Sequence, residues 1–535
     1  MKFPWFFYLA WKQLFPSRRK ISFFSLLAIL GVALGVNVMI VVIAFMQGFQ
    51  QKFRNDIIDS QGHARVIPVG PDAEWREIQS KITERRDVVG VTPYLQGQLL
   101  LQNRSYHAIP FAMGMDPHEC NTVLPMNQFL ENGQMQVQGF EAMDITPVPT
   151  VSYLEDEVVF VTRQVANRLG VRPSTILELQ DENSSLRRAG NGRVLVTRLD
   201  PFVPNGQWSI TFLDESRYQL KESMSGFSCE CEIGLEEDLG IGYPIFVVER
   251  GDKPFAVGDS FRFQTFRSSI IEVYSPHMIE MAKSDELSPP REVRLGGIFE
   301  VPWQGYHSEA LVGTMRFMQD LRSEEGVCDG FYLRFSDKIA SSENRLKEFC
   351  NELEIFLDRD WLPIPWFVEN AWFFELLKFE EYLMILIMIP IGLVAAFAIA
   401  IALMTSVLRK IREIGLLVAM GAKRWSVGGI FCMQGFIIGF LGSILGCGFA
   451  LLFIRFRDSL MNLIVTRIAG ESGKVEVVQF YDFYALDVPY PWQSEQSLMT
   501  FLTFALFAIL VSTIAGLLPA WRASRMNPAE ALRSE

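Results

Sequence analysis

The chain has 535 residues and a formal net charge of −12, and 49% of its residues are hydrophobic. Its mean hydropathy of +0.18 is high for a soluble protein and low for a bare bundle of membrane helices. The composition therefore predicts a membrane protein with a large aqueous domain. The acidic balance argues against nucleic acid as a partner.

Residues 1–20 combine an aromatic run at 3–15 with a basic cluster. Aromatic and basic side chains in this arrangement favour an amphipathic helix lying in the plane of the membrane. The alternative is that this segment is only the frayed start of the first membrane span.

Four apolar stretches are each at least as long as the roughly 20 residues that a helix needs to cross a bilayer. They are residues 21–47, 382–408, 425–456 and 498–521. The first stretch is too long for a cleaved signal peptide, and it lacks a small-residue cleavage site. The predicted fold class is an α-helical membrane protein with four transmembrane helices in a 1+3 order. A large α+β periplasmic domain, residues 48–381, is inserted between helices 1 and 2.

Lys and Arg gather in three short segments beside the spans, at residues 1–20, 409–424 and 522–535. Cytoplasmic loops carry an excess of these residues. Both termini and the 409–424 loop are therefore predicted to be cytoplasmic. The inserted domain and the loop at 457–497 are predicted to face outward.

The inserted domain should begin with residues 48–60 continuing the first helix. Strand-like and helical runs then alternate, which is typical of mixed sheets in one or two subdomains. Between residues 172 and 258 the pattern weakens, and Gly, Pro, Ser and acidic residues predominate. That segment is interpreted as an insertion that is elaborated or partly mobile. Strands are expected at 63–69, 93–102, 158–161, 261–266, 291–299 and 331–335, and helices at 74–85, 163–169 and 341–356.

Small residues recur at helical spacing in two of the spans. Such residues allow close helix contact in lipid, although glycine is common in membrane helices anyway. We predict helix packing at Gly31, Gly35, Gly435, Gly439, Gly442 and Gly446.

Catalytic signatures are absent from the sequence. It has no phosphate-binding loop, no paired-histidine metal motif and no G-x-S-x-G elbow. The five histidines are scattered, so neither a catalytic residue nor a metal site is predicted, and the chain should not be an enzyme. Of seven cysteines, Cys328 and Cys350 could form a disulfide or remain as buried free thiols.

The sharpest local signals are residues 412–425 (REIGLLVAMGAKRW) and 519–533 (PAWRASRMNPAEALR). Both resemble signatures of ABC permeases of the FtsX/MacB type. Residues 31–36, 46–49, 91–98, 114–117, 297–299 and 366–370 more closely resemble the LolC/LolE permeases of the lipoprotein-releasing system. The chain is longer than usual for that group, mainly within residues 172–258.

The resemblance implies a multi-pass protein of the bacterial inner membrane that pairs with a second permease copy or paralogue. A separate ABC ATP-binding subunit (LolD-like) would hold ATP and Mg, so no cofactor is expected on this chain. The loop at 409–424 would be the coupling loop that docks on this ATPase. Its implied contact residues are Glu413, Leu416, Leu417, Met420, Gly421 and Ala422.

The resemblance also implies a lipoprotein substrate, which would enter sideways from membrane lipid and leave on a periplasmic lipoprotein carrier (LolA-like). The carrier would dock loosely around residues 266–290. The acyl chains would need an apolar cleft between helix 1 of one subunit and helix 2 of the other. Its expected residues are Val42, Phe45, Met46 and Phe49 in helix 1, and Met384, Ile387 and Met388 in helix 2.

Two other functions remain open at this point. One is an FtsX/MacB-like permease that moves nothing through the membrane and drives a periplasmic partner or efflux tunnel by mechanotransmission. The other is a membrane-anchored binding protein with no ATPase.

Overall fold

The computed structural model describes residues 5–14, 23–70, 75–130, 154–178, 193–236, 239, 242–249, 252–278, 289–300, 308–324, 326–468, 490–493 and 495–525. The chain forms two compact units. The helical unit comprises Met1–Arg54 and Ala371–Glu535, and the α/β unit comprises Asn55–Asn370. Residues 279–288 of the predicted carrier-docking segment, much of the 457–497 loop and the end of the C-terminal tail lie outside the described residues.

The helices differ widely in length. In chain order they are α1 (Trp5–Leu14), α2 (Phe23–Gln61), α3 (Trp75–Thr83), α4 (Cys120–Val123), α5 (Met126–Phe129), α6 (Arg163–Leu169), α7 (Met315–Arg322), α8 (Asp337–Ala340), α9 (Glu343–Phe356), α10 (Trp366–Glu369), α11 (Ala371–Arg409), α12 (Ile411–Ala419), α13 (Arg424–Ile468), α14 (Glu495–Ala515) and α15 (Leu517–Ser524).

The strands all belong to the α/β unit. They are β1 (Ala64–Pro68), β2 (Val88–Gln98), β3 (Leu100–Asn103), β4 (Tyr106–Ala108), β5 (Phe111–Met115), β6 (Val158–Thr162), β7 (Thr175–Glu178), β8 (Arg193–Arg198), β9 (Gly206–Phe212), β10 (Arg217–Glu222), β11 (Ser228–Glu232), β12 (Ile245–Glu249), β13 (Ser260–Phe266), β14 (Ile270–Tyr274), β15 (Arg291–Phe299), β16 (Ala310–Thr314), β17 (Gly330–Phe335) and β18 (Trp361–Pro365).

Four helical segments among the described residues are long and apolar enough to cross a membrane. They are Ser25–Gln61, Ala371–Arg409, Trp425–Arg457 and Ser497–Arg522. Each contains an apolar window of 18 residues with at most two charged side chains. A helix of that length nearly spans the hydrocarbon core of a bilayer, so lipid is the natural solvent for the exposed apolar side chains. These segments overlap the four apolar stretches of the sequence.

The core of the helical unit lies where α13 packs against α1, α2 and α14. Ala10 and Leu14 of α1 are buried in this core, while Tyr8 and Trp11 point away from it and are exposed. Helix α1 therefore has one side in this core and one side outside it. A polar tie also joins two long helices, since Gln47 Nε2 donates to Thr500 Oγ1 at 2.7 Å.

The large sheet of the α/β unit is mixed and has the order β18-β1-β17-β2-β5-β16-β6-β15-β14-β3-β4. Two of its pairings, β5 with β16 and β6 with β15, are parallel. Strands β6 and β16 are buried at every position, because both faces of the sheet are covered there. One face packs against α6 and α7, and the other packs against α4 and α5.

A second, smaller antiparallel sheet has the order β11-β10-β9-β13-β7, and β8 pairs with β12 beside it. Its core is rich in aromatic residues, with Phe212 and Phe255 stacked at 3.9 Å and Trp208 parallel to Phe263. Most of these strands fall within residues 172–258. The described part of that segment therefore forms β-strands around a hydrophobic core of their own.

Candidate functional site

The helix predicted to couple to an ATPase is α12, which connects α11 to α13. It is held in place from one side only. Ile414 is 2% exposed and packs with Val407 of α11, Val427 and Phe431 of α13, and Ala520 of α15. Burial of a side chain of this size stabilises the packed arrangement by roughly 1.5–3 kcal/mol. The opposite side of α12 is left free for other contacts.

That opposite side presents large apolar side chains to solvent. Leu416 is 49% exposed and Met420 is 76% exposed, whereas Leu417 and Ala422 are half-buried. Trp425, at the start of α13, is 91% exposed. Exposed methionine, leucine and aromatic side chains that follow one another closely in a short stretch of chain are typical of a protein-docking surface.

The turn after α12 depends on a glycine. Gly421 has φ +93°, a conformation that costs an L-residue roughly 1–2 kcal/mol. The chain is closed by bonds from Gly421 N to Val418 O and from Ala422 N to Leu417 O, both at 3.0 Å. The second of these bonds is the six-to-one bond of a Schellman motif. Gly421 therefore fixes the direction in which Trp425 leaves the turn.

Glu413 lies on the exposed side of α12. Its Oε2 is 3.6 Å from Lys410 Nζ, and its side chain is 64% exposed. An exposed pair at this distance contributes little to stability. The carboxylate is therefore available to a partner at small cost.

The residues predicted for the acyl cleft lie on two helices. On α2, Met46 is 6% exposed, Phe45 packs against the core of the helical unit, and Val42 and Phe49 are half-buried. On α11, Ile387 is 61% exposed, and Met384 and Met388 are half-exposed. A single chain thus presents the α11 residues outward and holds Met46 in its own core.

Helix α11 is the least covered of the four candidate spans. Only 6% of its most apolar window is buried, against 44% for α2 and for α13. Where α11 does meet α2, Phe53 lies 5.2 Å from Phe373 between ring centroids, and Gln50 Nε2 is 3.4 Å from Glu381 Oε2. Phe49 extends this contact, because its ring is 4.3 Å from that of Phe53. The apolar window of α11 otherwise needs lipid or a further protein surface to cover it.

The glycines predicted for helix packing divide into two groups. A Cβ at Gly435 or Gly439 would meet Ser512 of α14 at 2.6 or 2.8 Å. A Cβ at Gly442 would meet Val32 of α2 at 2.6 Å, and one at Gly446 would meet the Ala33 carbonyl at 2.7 Å. Along this strip α13 therefore approaches two helices at backbone distance.

The other two glycines, Gly31 and Gly35 of α2, have no described atom within 4 Å of the place where a Cβ would be. Within this chain they do not mediate a close helix contact among the described residues.

Most of the cysteines of the α/β unit are buried. Burial raises the pKa of the thiols of Cys120, Cys328 and Cys350 to about 12, so they are protonated and unreactive at neutral pH. Cys328 and Cys350 are both free. Among the described residues, no group of three or more His, Cys, Asp or Glu side chains could hold a metal ion.

Family models match both parts of the chain. Residues 25–178 match the MacB-like periplasmic core domain, and residues 385–528 match the FtsX-like permease C-terminal domain. The chain is therefore similar to FtsX/MacB-like ABC permeases in both of these segments.

Curated relatives extend this match along almost the whole chain. The lipoprotein-releasing system transmembrane protein LolC of Xylella fastidiosa strain Temecula1 is 22% identical over 516 residues, covering 96% of this chain and 95% of the relative. LolC of Neisseria meningitidis serogroup B is 22% identical over 520 residues with the same coverage. These relatives and the apolar helices indicate a multi-pass protein of the inner membrane.

One solved structure, the extracellular domain of noncanonic ABC-type transporter YknZ from Gram-positive bacteria, aligns over 56% of this chain and 98% of its own chain. It is 6% identical with a TM-score of 0.24, which is too low to establish a shared fold.

The segment that matches the FtsX-like model includes α12 and Trp425. Trp425 was part of the sequence motif but was not among the residues predicted to couple. The glycine at position 421 could have indicated the exposure of Trp425, because a tryptophan that follows a tight turn in a basic loop has few neighbours to bury it.

Proposed function

We propose that this chain is the permease subunit of an ABC transporter that extracts lipoproteins from the outer leaflet of the inner membrane. A separate ATP-binding subunit, which holds ATP and Mg, drives the extraction, and a periplasmic carrier receives the lipoprotein. The observation that carries this proposal is the full-length similarity to LolC proteins, at 96% coverage of this chain.

The coupling surface supports the involvement of an ATPase. Leu416 and Met420 are exposed on a helix that is anchored to three neighbours through Ile414, and Trp425 is exposed at the start of the next helix. A push on this surface would be passed to α11, α13 and α15, because all three contact the same small core. In the proposed orientation this surface is cytoplasmic, since Lys and Arg surround it.

Helix α11 supports pairing with a second permease copy or a paralogue. Its apolar window is 6% buried, so almost the whole of this window is available to lipid, to a substrate chain or to another subunit. In the proposed complex, the exposed Ile387 and the half-exposed Met384 and Met388 face the α2 helix of that second permease. Methionine suits this position because its flexible side chain adapts to irregular hydrocarbon surfaces.

Photo-crosslinking from the cleft tests the substrate. A photoreactive amino acid is placed at Ile387 or Met388 in the full chain in cells, and adducts are probed for lipoproteins. The matched control position is Leu452 of α13, which is 55% exposed. Lipoprotein adducts are expected at the α11 positions and should decrease when ATP is hydrolysed. Equal adducts at Leu452, or phospholipid adducts alone, would refute lipoprotein extraction.

A charge in the cleft gives the functional counterpart. Ile387→Asp should displace about three methylenes of an acyl chain, and at ~0.8 kcal/mol each this lowers affinity roughly 50-fold. Lipoprotein release from spheroplasts should fall accordingly, whereas Leu452→Asp should leave release close to wild type. Equal effects of the two variants would indicate general damage by a charge in lipid.

A second function is favoured by the two family models, which describe FtsX-like and MacB-like domains. In this alternative the chain extracts nothing and drives a periplasmic partner by mechanotransmission. The helix α2, with 39 residues, would carry the motion. Under this alternative Ile387→Asp has little effect on lipoprotein release, and that result would favour it.

A further inference from the structure

The α/β unit contains an apolar cavity of about 50 Å³. It lies on the face of the large sheet that packs against α4 and α5. Alternate residues of β5 form its floor, namely Phe111, Met113 and Met115, because side chains two apart on a strand share a face. Met126 and Phe129, the first and last residues of α5, form the facing wall.

The cavity is open rather than sealed. Met115 and Met126 are 3% and 4% exposed, whereas Phe111, Met113 and Phe129 are half-buried. The half-buried side chains therefore form the entrance and the fully buried ones form the interior. A ligand could reach the interior by displacing flexible side chains, and methionine is the residue best suited to such movement.

Apart from the hydroxyl of Tyr332 in β17, the polar side chains of the lining lie on one wall, which is the last turn of α2. Each of them is engaged elsewhere. Asp59 Oδ1 is 3.6 Å from Arg334 Nη2, Ser60 Oγ donates to the Asp56 carbonyl at 2.6 Å, and Gln61 Oε1 accepts from Asn370 Nδ2 at 3.3 Å. A peptide entering the cavity would have to leave backbone groups unpaired, which costs several kcal/mol. A hydrocarbon chain would lose nothing.

The volume sets the size of the ligand. One water-sized group needs about 10–15 Å³ of such space, and a methylene is of similar size. The cavity therefore has room for roughly three to five methylenes, which is the end of an acyl chain and not its whole length.

We propose that this cavity binds the terminal methylenes of a lipoprotein acyl chain, as a second hydrocarbon site separate from the cleft residues of α2 and α11. This inference rests on the proposed lipoprotein-releasing function. It gives the acyl chain a protein-lined site in the α/β unit, so that the chain is shielded from water during its transfer.

The test uses the full chain in lipid nanodiscs and two photoreactive probes. The first is a diacylated lipopeptide with a diazirine at the end of one acyl chain, and the second is a phosphatidylethanolamine carrying the same chain. Labelled residues are mapped by mass spectrometry. The lipopeptide should label Met113, Met115, Met126 or Phe129, and the phospholipid should label them at least about tenfold less.

Two variants separate binding from folding. Met113→Trp fills the entrance and should reduce labelling of the interior at least about fivefold, because a larger apolar group occupies the same space. The control is Met224→Trp, at a position in the smaller sheet's β10–β11 turn that is 81% exposed. If Met113→Trp fails to fold, wild-type protein is used with competing lipopeptides of increasing chain length. Their affinity should rise about fourfold for each added methylene and then level off.

The outcomes distinguish this inference from the proposed function. Labelling of α2 and α11 without labelling of the cavity overturns the second site and leaves lipoprotein extraction intact. Absence of lipopeptide labelling at both places refutes both. Equal labelling of the cavity by the phospholipid shows a membrane-lipid site and overturns the assignment to lipoprotein.

Discussion

The close approach of α13 to α2 gives the most quantitative prediction about this chain. At Gly442 an added Cβ would lie 2.6 Å from the Val32 Cβ and 3.1 Å from the Ile29 carbonyl oxygen. Neither atom can rotate away, because one is a branch point beside the backbone and the other belongs to the backbone. Gly442→Ala must therefore push the two helices apart.

The matched control lies two turns along the same helix. Gly448 has no described atom within 4 Å of its Cβ position, so Gly448→Ala adds a methyl group to open space. Both substitutions gain the same helix propensity, up to about 1 kcal/mol, and this gain cancels when they are compared. The difference is the overpacking cost alone, about 1–3 kcal/mol.

Thermal unfolding in lipid nanodiscs measures this difference. At roughly 2–4 °C per kcal/mol for a unit of this size, the Tm of Gly442→Ala should lie several degrees below that of Gly448→Ala. Gly446→Ala, which would meet the Ala33 carbonyl at 2.7 Å, should behave like Gly442→Ala. Equal Tm values for Gly442→Ala and Gly448→Ala would refute the helix contact.

Three further predictions follow from the local geometry. Gly421→Ala should lower stability by about 1–2 kcal/mol because its φ of +93° is strained for alanine, and Gly429→Ala, whose Cβ position has no described atom within 4 Å, should not. In maleimide labelling at pH 7.5 followed by peptide mass spectrometry, Cys328 and Cys350 should react roughly a hundredfold more slowly than the half-exposed Cys229; fast labelling of Cys328 in the folded protein would contradict its burial. Burial raises the pKa of Glu369, and the positive charge of Arg65, 2.7 Å away, opposes that rise. The folded protein therefore loses stability as the pH rises from the pKa of Glu369 in the unfolded chain toward its pKa in the folded protein. Arg65→Met removes the opposing charge, so its loss of stability relative to wild type, followed by thermal unfolding, should grow from pH 4 to pH 8 to about 1–3 kcal/mol. The loss should vanish when Glu369→Gln is added. A loss independent of pH would assign Arg65 a packing role only.

Local periodicity was enough to predict several strands of the large sheet and several helices of the α/β unit. The strands expected at 158–161, 291–299 and 331–335 coincide with β6, β15 and β17. The helices expected at 163–169 and 341–356 coincide with α6 and α9 within two residues. These segments carry long apolar or alternating runs, and such runs need no knowledge of distant partners.

Most of the smaller sheet was missed although it carries a similar signal; the exception is the strand expected at 261–266, which coincides with β13. Strand β9 alternates strictly, with Trp208, Ile210 and Phe212 buried and their neighbours more exposed. The alternation was not recognised because the strands are short and the turns between them are rich in Gly and Asp, so loop-forming residues dominate the composition of the segment. What no local window could show is that Phe255, far along the chain, completes the aromatic core.

The candidate site was predictable as a segment and not as a surface. Residues 412–425 stood out by their motif, but the sequence could not say which side of α12 is buried. That depends on Ile414 meeting residues of α11, α13 and α15, which are brought together only by the fold. The cavity in the α/β unit could not be predicted for the same reason, because its lining residues Asp59, Met113 and Phe299 come from distant parts of the chain.

The central claim is that the exposed surface of α12 engages an ATP-binding subunit. The direct measurement is affinity purification of the full chain under mild conditions, with mass spectrometry of what co-purifies, for wild type, Met420→Glu and Met224→Glu. Both methionines are more than three-quarters exposed, so neither change disturbs a core. We predict that an ABC ATP-binding subunit co-purifies with wild type and with Met224→Glu, and is lost at least about tenfold with Met420→Glu. Absence of any ATPase from the wild-type sample after crosslinking, or equal recovery with Met420→Glu, would contradict the account.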